Sequence, residues 1–338
     1  MKLTNSFYNK IKTTQLVYTH LQQKHLIFND QKRSRLIMKK TLLLIMNPHA
    51  GVMKGKDNLY TICNTLCAAD FDVNIRITQS PGHAMSIARE EGTKFEYIVC
   101  CGGDGTLHEV VCGMQRIPNE SRPLLGYIPA GTTNDFAQNF GLSLNPAESV
   151  KRIVDPQIVD IDIGKFGDNE KGDNFFTYTA ATGAFTDASY RTPQKTKNAI
   201  GYMAYILDGI THLGNIKPIH MRITAGNRVF EDDYIFASVS NSTTVAKMIK
   251  IDKIGVDMSD GLFELILIKN PQNLKDADTI AKSLLSPNDP KYGLVRAQAS
   301  SIKFELDSKT VWTLDGEMAI AQKSFTISCL NKSLKFIK

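Results

Sequence analysis

The stretch that decides the fold is Tyr97-Ile-Val-Cys-Cys-Gly-Gly-Asp-Gly-Thr-Leu-His-Glu109. Its first five residues are apolar and suit a buried strand, and three glycines around one acid follow them. Glycines between a strand and a helix let bare backbone amides approach a ligand, and the amides at a helix N-terminus favour phosphate. The stretch therefore predicts a phosphate-binding loop at the carboxyl end of a strand.

Asp104, among these glycines, would repel a phosphate unless a cation lay between them, and a bridging Mg²⁺ resolves that conflict. Thr106 and Glu109 also have the spacing of a capping box, so a plain helix cap is an alternative interpretation. No GxGxxG follows a strand, and the glycines near residues 51–57 lack the spacing of a Walker A loop. A dinucleotide-binding dehydrogenase and a P-loop enzyme are therefore disfavoured.

Strands and helices are predicted to alternate on both sides of the glycine loop. Strands are predicted over residues 42–46, 73–77, 97–101 and 124–128, with helical stretches between them, one of them over 82–91. Strands that alternate with helices indicate a parallel α/β sheet, in which ligands bind at the carboxyl ends of the strands. A second Gly-containing segment, Pro129-Ala-Gly-Thr-Thr-Asn-Asp135, follows the fourth strand at that same end.

After about residue 158 the pattern changes to short strands with turn signals between them, which is typical of an antiparallel β domain. A single helix is predicted at about 198–211. The predicted strands cover residues 159–164, 175–180, 219–225, 234–240, 262–269, 301–306, 310–314 and 324–328. The predicted organisation is an extension over 1–37, an α/β domain over 38–158, a β domain over 159–323 and a last strand over 324–338.

The excess of positive charge lies in the extension and not in the rest of the chain. Residues 1–37 hold seven Lys or Arg and one acid, which accounts for the whole net charge of +6 over 338 residues. A nucleic-acid partner is therefore not expected. The extension is interpreted as dispensable, with a transit-type or membrane-tethering arm as the alternative.

No apolar run approaches the roughly 18–20 residues of a membrane span. The six cysteines form no CxxC pair, which favours reduced cytoplasmic thiols.

Three segments together resemble the catalytic domain of diacylglycerol kinases, and most closely the bacterial lipid kinases of the YegS/BmrU type. They are Asn47-Pro-His-Ala-Gly51, the GGDGTLHE segment at 102–109 and the PAGTTNDF segment at 129–136. Asp260-Gly-Leu-Phe263, Leu314-Asp-Gly-Glu317 and Thr78 with Gly82-His-Ala84 extend the similarity over about residues 38–338. The resemblance implies an α/β nucleotide-binding domain, like that of NAD kinases and diacylglycerol kinases, followed by a mainly antiparallel β-sandwich domain.

The resemblance also implies the site residues and the cofactors, ATP and Mg²⁺. The nucleotide site would consist of Asn47, Gly51, Thr78, Gly102, Gly103, Asp104, Gly105, Thr106, Glu109 and Thr132. A metal site near the domain junction would use the side chains of Asp257 and Asp260 and the carbonyl of Leu262. The sequence departs from the family at His108, where asparagine is common.

Asp104, Asp315 and Glu317 are the expected catalytic residues. A carboxylate near an acceptor hydroxyl can take its proton during phosphoryl transfer. Spacing alone would make Asp315-Gly-Glu317 an ordinary acidic turn, whereas the resemblance makes it the catalytic segment. Which of the two acids is the base stays open, with Glu317 favoured.

The function predicted from this resemblance is an ATP- and Mg²⁺-dependent kinase of diacylglycerol or a similar lipid alcohol. An NAD kinase is one alternative, because the GGDG segment is shared, and a nucleotide-binding regulator without catalysis is another. The expected location is the cytoplasm, with transient contact at the membrane surface, and a homodimer is an open alternative for the assembly.

Overall fold

In the computed structural model the described residues are 39–51, 54–167, 174–183, 217–241, 244–245, 249–250, 257–285 and 293–338. The extension over 1–37 and the helix predicted at 198–211 lie outside them. Residues 41–338 form one compact unit. The domain boundaries within that unit remain predictions.

The first half of this unit alternates between strands and helices. Short 3₁₀ turns lie at Gly92–Lys94 and Asn119–Ser121. The elements in chain order are β1 (Lys40–Met46), α1 (Lys54–Ala68), β2 (Phe71–Ile77), α2 (His83–Glu91), β3 (Tyr97–Gly102), α3 (Asp104–Met114), β4 (Leu124–Pro129), α4 (Asp135–Asn139) and α5 (Pro146–Val154).

Strands β2, β1, β3 and β4 lie side by side in that order. β1 pairs in parallel with β3, and β3 pairs in parallel with β4. Leu43 and Ile45 of β1 pack into one apolar cluster, and Leu42 and Leu44 pack into another, because successive side chains of a strand point to opposite faces. Both faces of the sheet are therefore covered, which confirms the predicted parallel α/β architecture.

The second half is rich in antiparallel strands, as predicted, and contains one described helix. Its elements are β5 (Ile158–Phe166), β6 (Phe175–Phe176), β7 (Thr179–Gly183), β8 (Ile219–Ala225), β9 (Arg228–Ser240), β10 (Thr244–Val245), β11 (Ile249–Lys250), β12 (Phe263–Lys269), α6 (Leu274–Leu285), β13 (Leu294–Ala299), β14 (Ser301–Leu306), β15 (Thr310–Leu314), β16 (Glu317–Ala321) and β17 (Ser324–Ile337).

The predicted strand over 175–180 is wrong as one piece. It is divided between β6 and β7, because the amides of Thr177 and Tyr178 donate hydrogen bonds to the buried Asp315 carboxylate. β9 begins six residues before the predicted start, since residues 228–234 pair with β8. The helix α6 was not predicted.

β17 connects the two halves of the molecule. Its first residues pair with β14, most of its length pairs antiparallel with β5, and Phe336 pairs in parallel with Leu125 of β4. Phe325, at the start of β17, packs against Phe166, Phe304 and Trp312 in the apolar core of the β-rich half. In the part of the chain that the structure describes, no helix is long and apolar enough to cross a membrane.

Candidate active site

The loops after β1, β3 and β4 meet at the carboxyl edge of the parallel sheet. The amide of Asn47 donates to the carbonyl of Cys101 at 3.0 Å, and the amide of Ala130 donates to that of Gly102 at 2.8 Å. A Cβ on Gly51 would lie 2.4 Å from the Ala130 oxygen, and one on Gly131 would lie 2.5 Å from the Cα of Gly103. Glycine at these positions therefore lets the three loops touch.

A cavity of about 520 Å³ opens where these loops meet. Its lining includes eight of the predicted site residues, which are Asn47, Gly51, Thr78, Gly103, Gly105, Thr106, Glu109 and Glu317. It also includes residues that were not predicted, which are His49, Ala50, Gln79, Ser80, Pro81, Ala84 and Gly131. Among the described residues, the predicted Gly102, Asp104, Thr132, Asp257, Asp260, Leu262 and Asp315 lie outside this lining.

The alternative interpretation of Thr106 and Glu109 as a capping box is wrong. Helix α3 begins after Gly103 with no side-chain cap, so Thr106 lies inside the helix, where its hydroxyl accepts a 3.0 Å hydrogen bond from the side-chain amide of Asn47. The Glu109 carboxylate instead accepts from the amides of Gly82 (2.7 Å) and Ala84 (3.0 Å). It thereby satisfies free amides at the start of α2 and fixes the loop that carries Gln79, Ser80 and Pro81.

Asp104 performs a similar task for α4. Its carboxylate accepts hydrogen bonds from the amides of Asp135 at 2.9 Å and Phe136 at 3.0 Å, which are the first residues of that helix. Burial raises the pKa of Asp104, and the two amides act in the opposite direction. The carboxylate thus ties the loop after β3 to the loop after β4.

Asn134 organises the loop after β4 and was missed by the sequence analysis. It is buried, has a φ of 51°, and its side-chain oxygen accepts from the amide of Gly131 at 2.9 Å. Its side-chain nitrogen donates to the Gly131 carbonyl at 2.9 Å. Asparagine tolerates the left-handed region better than most residues, which is the signal that could have identified it. Thr132 lies on the exposed part of the same loop.

Asp315 and Gly316 form the tight turn between β15 and β16, with φ values of 51° and 94°. Asp-Gly is the pair that such a two-residue hairpin turn favours. Asp315 is 4% exposed and points into the protein. Its carboxylate accepts hydrogen bonds from the Thr177 amide (2.7 Å), the Thr177 hydroxyl (2.9 Å), the Tyr178 amide (3.0 Å) and the Thr179 amide (3.1 Å).

Glu317, two residues later, is exposed and lines the cavity. Its Oε1 lies 2.5 Å from the point that a Cβ on Gly105 would occupy, so the carboxylate reaches the first turn of α3. Within the described part of the chain, no hydrogen bond occupies this carboxylate. The two acids of one turn therefore face different surroundings.

The chain is similar to known diacylglycerol kinases. Residues 41–166 match the family model of the diacylglycerol kinase catalytic domain. A diacylglycerol kinase of Staphylococcus haemolyticus (strain JCSC1435) is 31% identical over 83% of this chain and 83% of its own length. A diacylglycerol kinase of Bacillus subtilis (strain 168) is 29% identical over 82% of this chain and 90% of its own length.

The chain belongs to the bacterial diacylglycerol kinase family. A solved structure of a candidate diacylglycerol kinase from Bacillus anthracis str. Sterne superposes with a TM-score of 0.70 at 26% identity, over 88% of this chain and 95% of the other. The predicted family and fold class are thus confirmed, and the protein is a lipid kinase.

The predicted metal segment of this lipid kinase forms an exposed turn before β12. One oxygen of Asp257 accepts from the amide and hydroxyl of Ser259, and one oxygen of Asp260 accepts from the amide of Leu262. The buried Asp162 anchors the turn by accepting from the amide of Gly261 at 2.6 Å. Among the described residues, no three His, Cys, Asp or Glu side chains gather as a metal cluster.

Asp162 was also missed by the sequence analysis. It is fully buried, and its other oxygen accepts from the amide of Lys332 at 2.6 Å and the side chain of Asn331 at 3.0 Å, in the middle of β17. The signal was an acid between two apolar residues, Ile161 and Ile163. In this lipid kinase Asp162 fastens the turn at 257–262 to the strand that connects both halves.

Proposed function

We propose that this lipid kinase transfers the γ-phosphoryl group of ATP to the hydroxyl of diacylglycerol or a related lipid alcohol, with Mg²⁺. The observation that carries this proposal is the position of Glu317 against Gly105, at the N-terminus of α3 and inside the 520 Å³ cavity. An unoccupied carboxylate there stands next to the backbone amides that favour phosphate. This is the arrangement that deprotonation of an acceptor hydroxyl requires.

The nucleotide is proposed to occupy the cavity, with its phosphates at Gly103, Gly105 and Thr106. These residues begin α3, and the helix dipole and free amides of its first turn attract negative charge. A volume of about 520 Å³ lies within the usual range of small-molecule sites. Asn47 and Thr78 complete the wall, and Glu109 and Asp104 act by holding loops in place.

Glu317 is proposed as the base and Asp315 as the residue that holds its turn. Asp315 accepts four hydrogen bonds away from the cavity, whereas Glu317 faces the cavity. A base must come within hydrogen-bond reach of the hydroxyl that it deprotonates. Burial of Asp315 therefore favours Glu317 for this role.

The oxygen donors at 257–262 suit Mg²⁺, because it prefers carboxylate and carbonyl ligands. Asp257 and Asp260 each use one carboxylate oxygen in a turn and keep the other. With the carbonyl of Leu262 they would hold the ion in a structural role. A Mg²⁺ ion bound to the phosphates would neutralise charge on the nucleotide. Asp104 would keep the loop at 131–135 in place around the nucleotide.

A lipid substrate lies in a bilayer. We therefore propose that the protein is cytoplasmic and contacts the membrane surface peripherally. Transfer of labelled phosphate from ATP should be measured with diacylglycerol, sphingosine, ceramide, phosphatidylglycerol and undecaprenol in mixed micelles, with Mg²⁺ or with EDTA. Mg²⁺-dependent labelling of one lipid supports the proposal. Labelling of NAD in a parallel reaction would support the rival NAD kinase, and ATP binding without transfer to any acceptor would support a silent regulator.

A further inference from the structure

Helix α3 contacts the turn between β15 and β16 at two successive points. Gly105, in the first helical turn, lies against Glu317. His108, three residues later and therefore on the same side of the helix, lies against Asp315. The second contact was not used in the proposed mechanism, because His108 does not line the cavity in the described part of the chain.

His108 is 7% exposed, and its Nδ1 atom has no hydrogen-bond partner. This atom lies 3.7 Å from Oδ2 of Asp315, which is within ion-pair distance but beyond a hydrogen bond. The other ring nitrogen, Nε2, lies 3.6 Å from the sulfur of Cys112. A buried polar ring atom without a hydrogen-bond partner costs free energy. The position of the Asp315 carboxylate beside this atom therefore calls for an explanation other than packing.

Among the described residues, the titratable groups paired with the ring come from two elements. Asp315 approaches from the β15–β16 turn, and Cys112 lies on the same helix as His108. Tyr178, beside β7, donates to the Asp315 carbonyl at 3.3 Å. Burial lowers the pKa of His108, while Cys112 and Asp315 raise it, and the net direction is well above the ordinary value. A protonated ring next to the buried Asp315 carboxylate is consistent with this direction.

We propose that His108 is a positioning residue that holds the Asp315 turn against helix α3 and thereby keeps Glu317 at the phosphate end of the cavity. The proposal rests on the proposed function, since it concerns the placement of the base. It adds a residue that touches neither substrate nor nucleotide and acts through Asp315. Its removal should change the rate of phosphoryl transfer and leave nucleotide binding intact.

The contact has a defined pH dependence. Because the pKa of His108 is raised in the folded protein, the ion pair is complete below the ordinary histidine value and is lost as pH rises through the raised value. Loss of the proton leaves Asp315 with its hydrogen bonds but without the attraction to α3. The turn should then be held less firmly.

The first experiment needs no enzymatic activity. Ring resonances of the histidines are followed by NMR against pH in the full chain, with His108→Asn identifying the signal. We expect the His108 midpoint to lie above the usual value of about 6.5. As a second readout, the difference in melting temperature between wild type and His108→Leu should shrink as pH rises. A His108 midpoint at or below the usual value would overturn the ion pair.

The second experiment compares His108→Leu, His108→Asn and the control Cys112→Ala. We expect His108→Leu to lower kcat about tenfold or more with the KM for ATP within about twofold, because a small misplacement of a catalytic group is costly. His108→Asn, which can donate to Asp315 without charge, should recover much of kcat and lose the pH-dependent step.

The control and the outcomes separate this inference from the proposed function. Cys112 contacts the other ring nitrogen, so Cys112→Ala, measured below about pH 6.5 where His108 is protonated, tests packing against the ring alone and should keep kcat within about twofold. Full kcat in His108→Leu, or an equal loss in Cys112→Ala, would overturn the positioning role. If wild type phosphorylates no lipid at all, the proposed function fails, while the NMR titration still decides the ion pair.

Discussion

At the scale of single residues, the contrast between Glu317 and Asp315 gives a direct test of the base. Glu317→Gln should lower kcat for lipid phosphorylation by about 10²–10⁴-fold and leave the Kd for ATP nearly unchanged. Asp315→Asn should lower the melting temperature as well, because it disturbs a buried carboxylate that accepts four hydrogen bonds. Measuring kcat, ATP Kd and melting temperature for both variants decides the roles. Unchanged kcat in Glu317→Gln would remove Glu317 as the base.

Gly105 gives a second residue-scale prediction, in which one substitution lowers activity but does not lower stability. A methyl group there would lie 2.5 Å from Oε1 of Glu317 and would push the flexible carboxylate away. Alanine is also a better helix former than glycine, by roughly 0.5–1 kcal/mol. Gly105→Ala should therefore lower kcat at least about tenfold without lowering the melting temperature. In a Glu317→Gln background the same change should add little, and a full additional loss would contradict the contact.

Glu264 gives a pH prediction away from the cavity. It is 5% exposed, and burial raises its pKa to about 7, against a weaker opposing hydrogen bond from Gln298. Since the unfolded chain releases this proton at lower pH, the wild type loses stability as pH rises towards 7, and the loss levels off above it. The melting temperature of Glu264→Gln relative to wild type should rise from about pH 5 to about pH 7. A constant difference across this range would contradict the buried acid.

At the scale of elements, Glu109 fastens α2 to α3. Glu109→Ala would leave the amides of Gly82 and Ala84 without their acceptor, at a cost of about 1 kcal/mol or more. The loop with Gln79, Ser80 and Pro81 lines the cavity, so the Kd for ATP should rise about tenfold while kcat at saturating ATP changes little. Calorimetric titration with ATP checks the first effect. Faster amide hydrogen exchange at the start of α2 checks the cause.

The elements also show how far the sequence could predict this molecule. Strands β1, β3 and β4 were found because their apolar runs end in glycine loops, and this local signal is strong. The break between β6 and β7 could not be found, since it depends on Asp315, more than a hundred residues later in the chain. In the same way the sequence singles out both acids of the turn between β15 and β16, but their opposite orientations follow from the turn geometry and its distant partners.

At the scale of the whole molecule, the net positive charge comes from residues 1–37, with seven Lys or Arg and one acid. Basic residues near an anionic bilayer each contribute about 1 kcal/mol of attraction. Deleting residues 1–37 should therefore weaken binding to vesicles that contain phosphatidylglycerol and leave turnover of a short-chain, water-soluble lipid substrate unchanged. Vesicle cosedimentation at low and high salt checks the effect. Equal binding of both proteins would show that the extension does not contribute.

The position of β17 also has a consequence for the order of folding during synthesis. This strand pairs with β4 of the parallel sheet and with β14 of the β-rich half. Because residues 324–337 follow every other described strand along the chain, neither half can complete its sheet until they have been made. A nascent chain arrested just before residue 324 should therefore stay sensitive to protease, whereas one that continues through residue 338 into a long linker should become resistant.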